Sequence, residues 1–198
     1  MQTVRTVLST ASEAVLERAR RIRLVVLDVD GVLTDGSIWT GASGESVKRF
    51  HARDGLGIKM LQAAGIPVAI LTGRVSEQTA ARARELGITS VAQGRQFKTE
   101  SFRALLSEHG VAAEACAYMG DDVPDLPVLA MAGLAAAPAD AGVEVLELAH
   151  WRAPHAGGCG AVRDLSELIL RAQDLWDALV QRRYVRGEIG PAAGASSS

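Results

Sequence analysis

Short apolar runs that do not alternate with polar residues constrain this chain most. Arg23–Leu27, Pro67–Leu71, Thr89–Ala92, Ala115–Met119, Gly133–Ala136 and a piece near Ala149–Trp151 read as strands. Most are apolar throughout, the pattern of parallel strands covered on both faces. Between them Gly57–Ala64, Ser76–Leu86, Lys98–His109, Asp125–Met131 and Gly142–Glu147 read as helices. Strands alternating with helices predict an α/β fold: a doubly wound, Rossmann-like, mostly parallel sheet flanked by helices. At 198 residues the chain is long enough for one sizeable core and short for two.

Two segments depart from that rhythm. Gly36–Phe50 carries two β-like stretches, Ser37–Thr40 and Ser46–Phe50, around Gly41-Ala42-Ser43-Gly44, which predicts a small β-hairpin inserted after the first strand. It is a surface ribbon, an oligomer contact or a lid beside a site. Ala161–Gln181 places Leu165, Leu168, Ile169, Ala172, Leu175, Trp176 and Leu179 on one face, which predicts a single core-packed helix. The expected division is a helical leader over 1–20, a catalytic domain over 21–185 and a flexible tail over 186–198 rich in Gly, Ala and Ser.

Composition removes several classes. A formal net charge of −2 carries no nucleic-acid footprint. No apolar run approaches the roughly 20 residues that span a bilayer, so no membrane partner is expected. Ala11–Arg23 holds six charged side chains and is no signal-peptide core. Cys116 and Cys159 form neither a close metal pair nor a disulfide framework, so reduced thiols in a cytoplasmic protein are expected.

Polar clusters sit where the apolar runs end. Leu24–Leu27 runs into Asp28-Val29-Asp30-Gly31-Val32-Leu33-Thr34-Asp35-Gly36. Val68–Leu71 runs into Thr72-Gly73-Arg74, Ala115–Met119 into Gly120-Asp121-Asp122-Val123-Pro124-Asp125, and the strand near Val91 into Gln93–Lys98. Ligands of open α/β sheets bind outside the carboxyl ends of the strands, so Asp28, Asp30, Thr72, Lys98, Asp121 and Asp122 should share one edge. Carboxylates, a lysine, a hydroxyl and a pre-helix Gly-Arg suit a divalent cation and a phosphoryl group. Singly, Thr72 also reads as a helix cap and Lys98 as a solvated lysine.

Together these motifs resemble the haloacid dehalogenase superfamily of phosphatases. Thr34-Asp35-Gly36, Arg53-Asp54-Gly55-Leu56-Gly57-Ile58 and Gly157-Gly158-Cys159-Gly160-Ala161-Val162-Arg163-Asp164 narrow the resemblance to phosphatases of 3-deoxy-D-manno-octulosonate 8-phosphate, with sialic-acid-type phosphatases sharing most motifs. The resemblance implies Asp28 as the nucleophile and Asp30 as the acid and then the base. It implies phosphate binding by Thr72 and Lys98, and a Mg²⁺ cofactor held by Asp28, the Asp30 carbonyl and Asp121, with Asp122 and Asp125 acting behind them. For the sugar acid phosphate it points to His51, Arg53, Asp54, Gly55, Lys59, Gly73, Arg74 and Arg82, with Arg74 and Arg82 on one predicted helix. For each of these cations a solvated surface charge is the other reading.

Gly36–Phe50 is too short for a separate cap domain. The resemblance implies a homotetramer in which hairpins pack together and neighbours cover each site. Asp164 stands where the family more often has Glu, and Pro124 lies inside the fourth motif, where it suits a helix start. The expected activity is Mg²⁺-dependent hydrolysis through an aspartyl-phosphate. A broader sugar phosphatase, transfer to an acceptor other than water and an inactive binding scaffold remain as alternatives.

Overall fold

The computed structural model describes residues 7–42, 44–95 and 97–188. Strands β1 (Leu24–Leu27), β4 (Val68–Leu71), β5 (Val91–Ala92), β6 (Cys116–Met119), β7 (Leu134–Ala137) and β8 (Trp151–Arg152) form one six-stranded sheet in the order β5-β4-β1-β6-β7-β8. Every pairing in it is parallel, with Val25 opposite Val68 on one side and Ala117 on the other. The order reverses direction at β1, which puts the switch point of the sheet beside the end of that strand.

The non-alternating runs follow from burial on both faces. Val25 and Leu27 of β1, Val68 and Ile70 of β4, and Ala117 and Met119 of β6 belong to one apolar layer. Their sequence neighbours Leu24, Val26, Ala69, Leu71, Cys116 and Tyr118 belong to the other. Period-two geometry delivers adjacent residues to opposite faces, so both must be apolar. Each fully buried Leu or Ile adds about 1.5–3 kcal/mol relative to exposure. Helices α1 (Glu13–Arg20), α2 (Ala52–Ala63), α3 (Glu77–Leu86) and α7 (Ala161–Ala172) contribute to the first layer. Helices α4 (Lys98–His109), α5 (Leu126–Leu129) and α6 (Val143–Leu148) contribute to the second.

Several boundaries differ from expectation. Helix α2 starts at Ala52 rather than Gly57. Its glycines are contact points, not breaks: a Cβ on Gly57 would lie 2.8 Å from Ser166 Oγ of α7, and one on Gly55 would overlap the Arg82 guanidinium. The expected helix over 161–181 is two. Asp174, at φ 58°, turns the chain between α7 and α8 (Trp176–Val180), while Trp176 and Leu179 still reach the core. Arg74 precedes α3, so Arg74 and Arg82 do not share a helix.

Strands β2 (Trp39–Gly41) and β3 (Gly44–Val47) pair antiparallel outside the main sheet. Ile38, Trp39 and Val47 are more than half exposed there. Phe50 instead packs on the core, with the Arg82 guanidinium 5.6 Å from its ring centroid. Of the expected tail, residues 189–198 lie outside the described residues.

Candidate active site

Strand ends place the polar residues. Asp28 follows β1 and is fixed there by its N–H donating to Met119 O at 3.0 Å. Thr72 follows β4, its N–H donating to Ala92 O at 2.9 Å. Asp121 and Asp122 follow β6, and Lys98 opens α4. A cleft of about 330 Å³ is lined by Asp28, Asp30, Gly36, Thr72, Gly73, Arg74, Lys98, Asp121, Asp122, Pro124 and Asp125. Residues far apart in sequence thus meet at the carboxyl edge of the sheet.

Glycines make the edge this tight. Gly31 has φ 86°, and a Cβ there would overlap the Asp121 carboxylate. The Gly157-Gly158 segment lies directly on the Asp28–Gly36 loop, with Gly158 N–H donating to Val32 O at 2.9 Å and no room for a Cβ on Gly157 against Gly31 O. Asp164 ties the far side of this segment, accepting from His155 N at 3.0 Å and meeting His155 Nδ1 at 2.8 Å.

The floor of the cleft is a buried charge network. Lys98 Nζ lies 3.0 Å from Asp28 Oδ1 and 2.6 Å from Asp125 Oδ1. Asp125 also accepts from Tyr118 Oη at 2.5 Å and from the N–H groups of Asp121 and Asp122 at 3.0 and 3.3 Å. Burial opposes the Lys98 ammonium, but Asp28 and Asp125 outweigh it and its pKa rises. Burial, then Asp125, push Asp28 up to about 6 against the pull of Lys98. Burial, then Asp28 and Asp125, push Asp121 up to about 8.

Two crowded carboxylates at a strand end call for a cation. One oxygen each of Asp28, Asp121 and Asp125 lies within 4.8 Å of the others. Asp125 is already engaged by its donors, which leaves Asp28 and Asp121 as the side chains that could hold a cation. Asp28 Oδ1 is buried and accepts no hydrogen bond of good geometry among the described residues. Hard oxygen donors with surplus negative charge fit Mg²⁺, which keeps several of its waters.

Asp30 stands at the rim. Its Oδ1 is ion-paired with Lys48 Nζ, and its Oδ2 lies 3.6 Å from Arg74 Nε. Thr72 is buried, its hydroxyl near the N–H of Arg74 at 3.4 Å. Asp122 accepts from Val123 N–H at 2.8 Å and caps the turn into α5.

Other expected substrate residues are not among those lining this cleft. Asp54 is buried and accepts the Arg163 N–H at 2.7 Å, which ties α2 to α7. Burial raises its pKa despite that bond. Arg82 pairs with Glu85 at 2.8 Å and lies over Phe50, and Gly55 makes room for it. His51 precedes α2 with Nδ1 3.9 Å from Asp54 Oδ2, Lys59 is exposed on α2, and Arg53 lines a second cleft with His155 and Arg163. Sequence reasoning missed Lys48 and Tyr118. Tyr118 hides inside an apolar strand, and Lys48 sits in a ribbon whose alternation alone marks no partner.

The class that this sheet and this edge define is the haloacid dehalogenase-like hydrolases, and that family's model matches residues 52–133. The 3-deoxy-D-manno-octulosonate 8-phosphate phosphatase KdsC of Yersinia pestis is 45% identical over 163 residues, which cover 82% of this chain and 87% of that protein. The crystal structure of the Yersinia pestis phosphatase has a TM-score of 0.82 at 45% identity, covering 83% of this chain and 89% of that one. The same phosphatase from Moraxella catarrhalis, in complex with a magnesium ion, a phosphate ion and a KDO molecule, has a TM-score of 0.81 at 38% identity, covering 84% and 95%. The chain belongs to the 3-deoxy-D-manno-octulosonate 8-phosphate phosphatase family.

Proposed function

We propose that this protein hydrolyses 3-deoxy-D-manno-octulosonate 8-phosphate to the free sugar acid and inorganic phosphate. The observation that carries the reading is Asp28: a carboxylate fixed at a strand end, beside Lys98, facing a cleft that also holds Asp30, Thr72 and Asp121. In the first step an Asp28 oxygen attacks phosphorus and the bond to the sugar oxygen breaks. Asp30 gives that oxygen its proton. In the second step Asp30 takes a proton from water, which attacks the aspartyl-phosphate, and phosphate leaves with Asp28 restored.

Thr72, the backbone of Gly73 and Lys98 take the phosphoryl oxygens, and Arg74 at the rim meets the anionic sugar acid. Asp28, the Asp30 carbonyl and Asp121 would hold Mg²⁺, which offsets charge on the transferring group. Asp122 and Asp125 act by orienting loop and lysine.

A homotetramer fits the exposed Ile38, Trp39 and Val47 of the β2–β3 ribbon, and two free thiols fit a reducing cytoplasm. No helix among the described residues is long and apolar enough to cross a membrane. The test is phosphate release over a panel of sugar phosphates with and without Mg²⁺. The eight-carbon sugar acid phosphate should give the highest kcat/KM. Equal rates across neutral sugar phosphates would refute the substrate reading.

A further inference from the structure

We propose that Lys48 is a positioning residue for the acid–base carboxylate of Asp30, an inference that rests on the role given to Asp30 above. Lys48 directly follows β3, so it belongs to the inserted ribbon and not to the sheet. Its side chain is 2% exposed, whereas lysines are almost never fully buried unless paired. Asp30 Oδ1 is a partner of its ammonium. A charge-assisted hydrogen bond out of water is among the stronger ones available, and it fixes the direction of the group it holds.

Asp30 needs such a hold. It lies at the rim on the loop after β1, and its side chain is one-fifth exposed. Lys98, the buried ammonium that lines the cleft, faces Asp28 and Asp125 and is paired there. Arg74 is half exposed and reaches Oδ2 only at 3.6 Å. The two lysines therefore divide the work: Lys98 holds the nucleophile and Lys48 the acid–base group. Held at Oδ1, Asp30 presents Oδ2 to the ester. When the bond from phosphorus to the sugar oxygen breaks, the Oδ2 proton goes to that oxygen, and Asp30 returns to the carboxylate that Lys48 binds. The ribbon thereby takes part in the chemistry of its own subunit.

The test compares kcat/KM for a primary alkyl ester, 3-deoxy-D-manno-octulosonate 8-phosphate, with that for 4-nitrophenyl phosphate. The first leaving oxygen needs a proton and the second departs as a stable anion. Because kcat/KM stops at transfer of the phosphoryl group to the enzyme, later hydrolysis does not mask the effect. Lys48→Met should lower the alkyl value by about 10–100-fold and the aryl value much less. Lys48→Arg should recover most of the loss, because it restores a cation at Oδ1. Combined with Asp30→Asn, Lys48→Met should add nothing, since a residue that acts through Asp30 is silent once Asp30 cannot donate. Equal losses on both esters, or a further loss on top of Asp30→Asn, would overturn the proposal. Asp30→Asn turning over the alkyl ester like wild type would instead overturn the role of Asp30 itself.

Discussion

Lys98 and Asp125 meet at 2.6 Å in the buried floor of the cleft, closer than Lys98 comes to Asp28. The lysine is thus anchored by a second carboxylate, and its approach to Asp28 is set by that residue. Asp125 receives a hydroxyl and two backbone N–H groups as well, so one carboxylate fixes the lysine, the tyrosine and the Asp121 loop together.

Asp125→Ala should therefore destabilise the protein by about 3 kcal/mol or more, the lower end for breaking a buried pair, because Asp28 remains as a partner for Lys98. Tyr118→Phe removes the hydroxyl that donates to Asp125 and accepts a long 3.4 Å bond from Lys98, and should cost about 1 kcal/mol while Asp125 keeps the lysine in place. Urea unfolding of both variants in chelator checks this. A larger loss from Tyr118→Phe than from Asp125→Ala would move the anchor to the tyrosine.

Asp28→Asn should abolish phosphate release and leave the fold intact, because an amide is a poor nucleophile. The same change should make the metal-free protein more stable, by about 1 kcal/mol, since a carboxylate crowded by burial and Asp125 is exchanged for a neutral group. Unfolding at slightly alkaline pH in chelator reads the stability, and phosphate release under Mg²⁺ reads the activity. A destabilised variant would mean that Asp28 contributes more to Lys98 than it loses to its neighbours.

Metal and pH should act on stability together. Asp28 is raised to about 6 and Asp121 to about 8, from an ordinary aspartate value near 4. A carboxylate raised on folding contributes stability that is full below its unfolded pKa and is lost as pH rises through its folded pKa. The metal-free protein should thus lose stability between about pH 4 and pH 8 on account of these two groups. Mg²⁺ binds the ionised forms and reverses the loss, so the rise in Tm on adding Mg²⁺ should be larger at pH 8.5 than at pH 6. Thermal unfolding with Mg²⁺ or chelator at both values decides it, and a larger rise at the lower pH would exclude these carboxylates as the ligands.

The sheet and its catalytic edge were legible for one reason. Leu24–Leu27 is buried on both faces, so its apolar run ends where polarity becomes possible, and that is the edge where ligands bind. Asp28, Thr72 and Asp121 each mark such an end. What lay hidden depends on contacts between distant segments. Gly57 reads as the start of a helix and Gly55 as a substrate-binding position, yet both lie inside α2, where they let α7 and Arg82 pack against it. Asp54 reads as a motif carboxylate, yet it binds the Arg163 N–H. The turn at Asp174 interrupts an apolar face whose spacing continues across it. Lys48 carries no local sign of Asp30, 18 residues earlier.

The last prediction concerns the ribbon. Ile38, Trp39 and Val47 are 53%, 63% and 56% exposed, on a two-stranded unit that is marginal without packing. Apolar side chains gathered on such a unit favour burial against copies of themselves, and closed symmetry makes four copies a natural end point. Replacing Ile38, Trp39 and Val47 by serine together should reduce the oligomeric mass measured by light scattering. Lys48 stays in this variant, so the acid–base geometry of each subunit is retained. Hydrolysis of 4-nitrophenyl phosphate should then persist, while discrimination among sugar phosphates should fall. An unchanged mass with the three serines in place would show that the ribbon holds no assembly together.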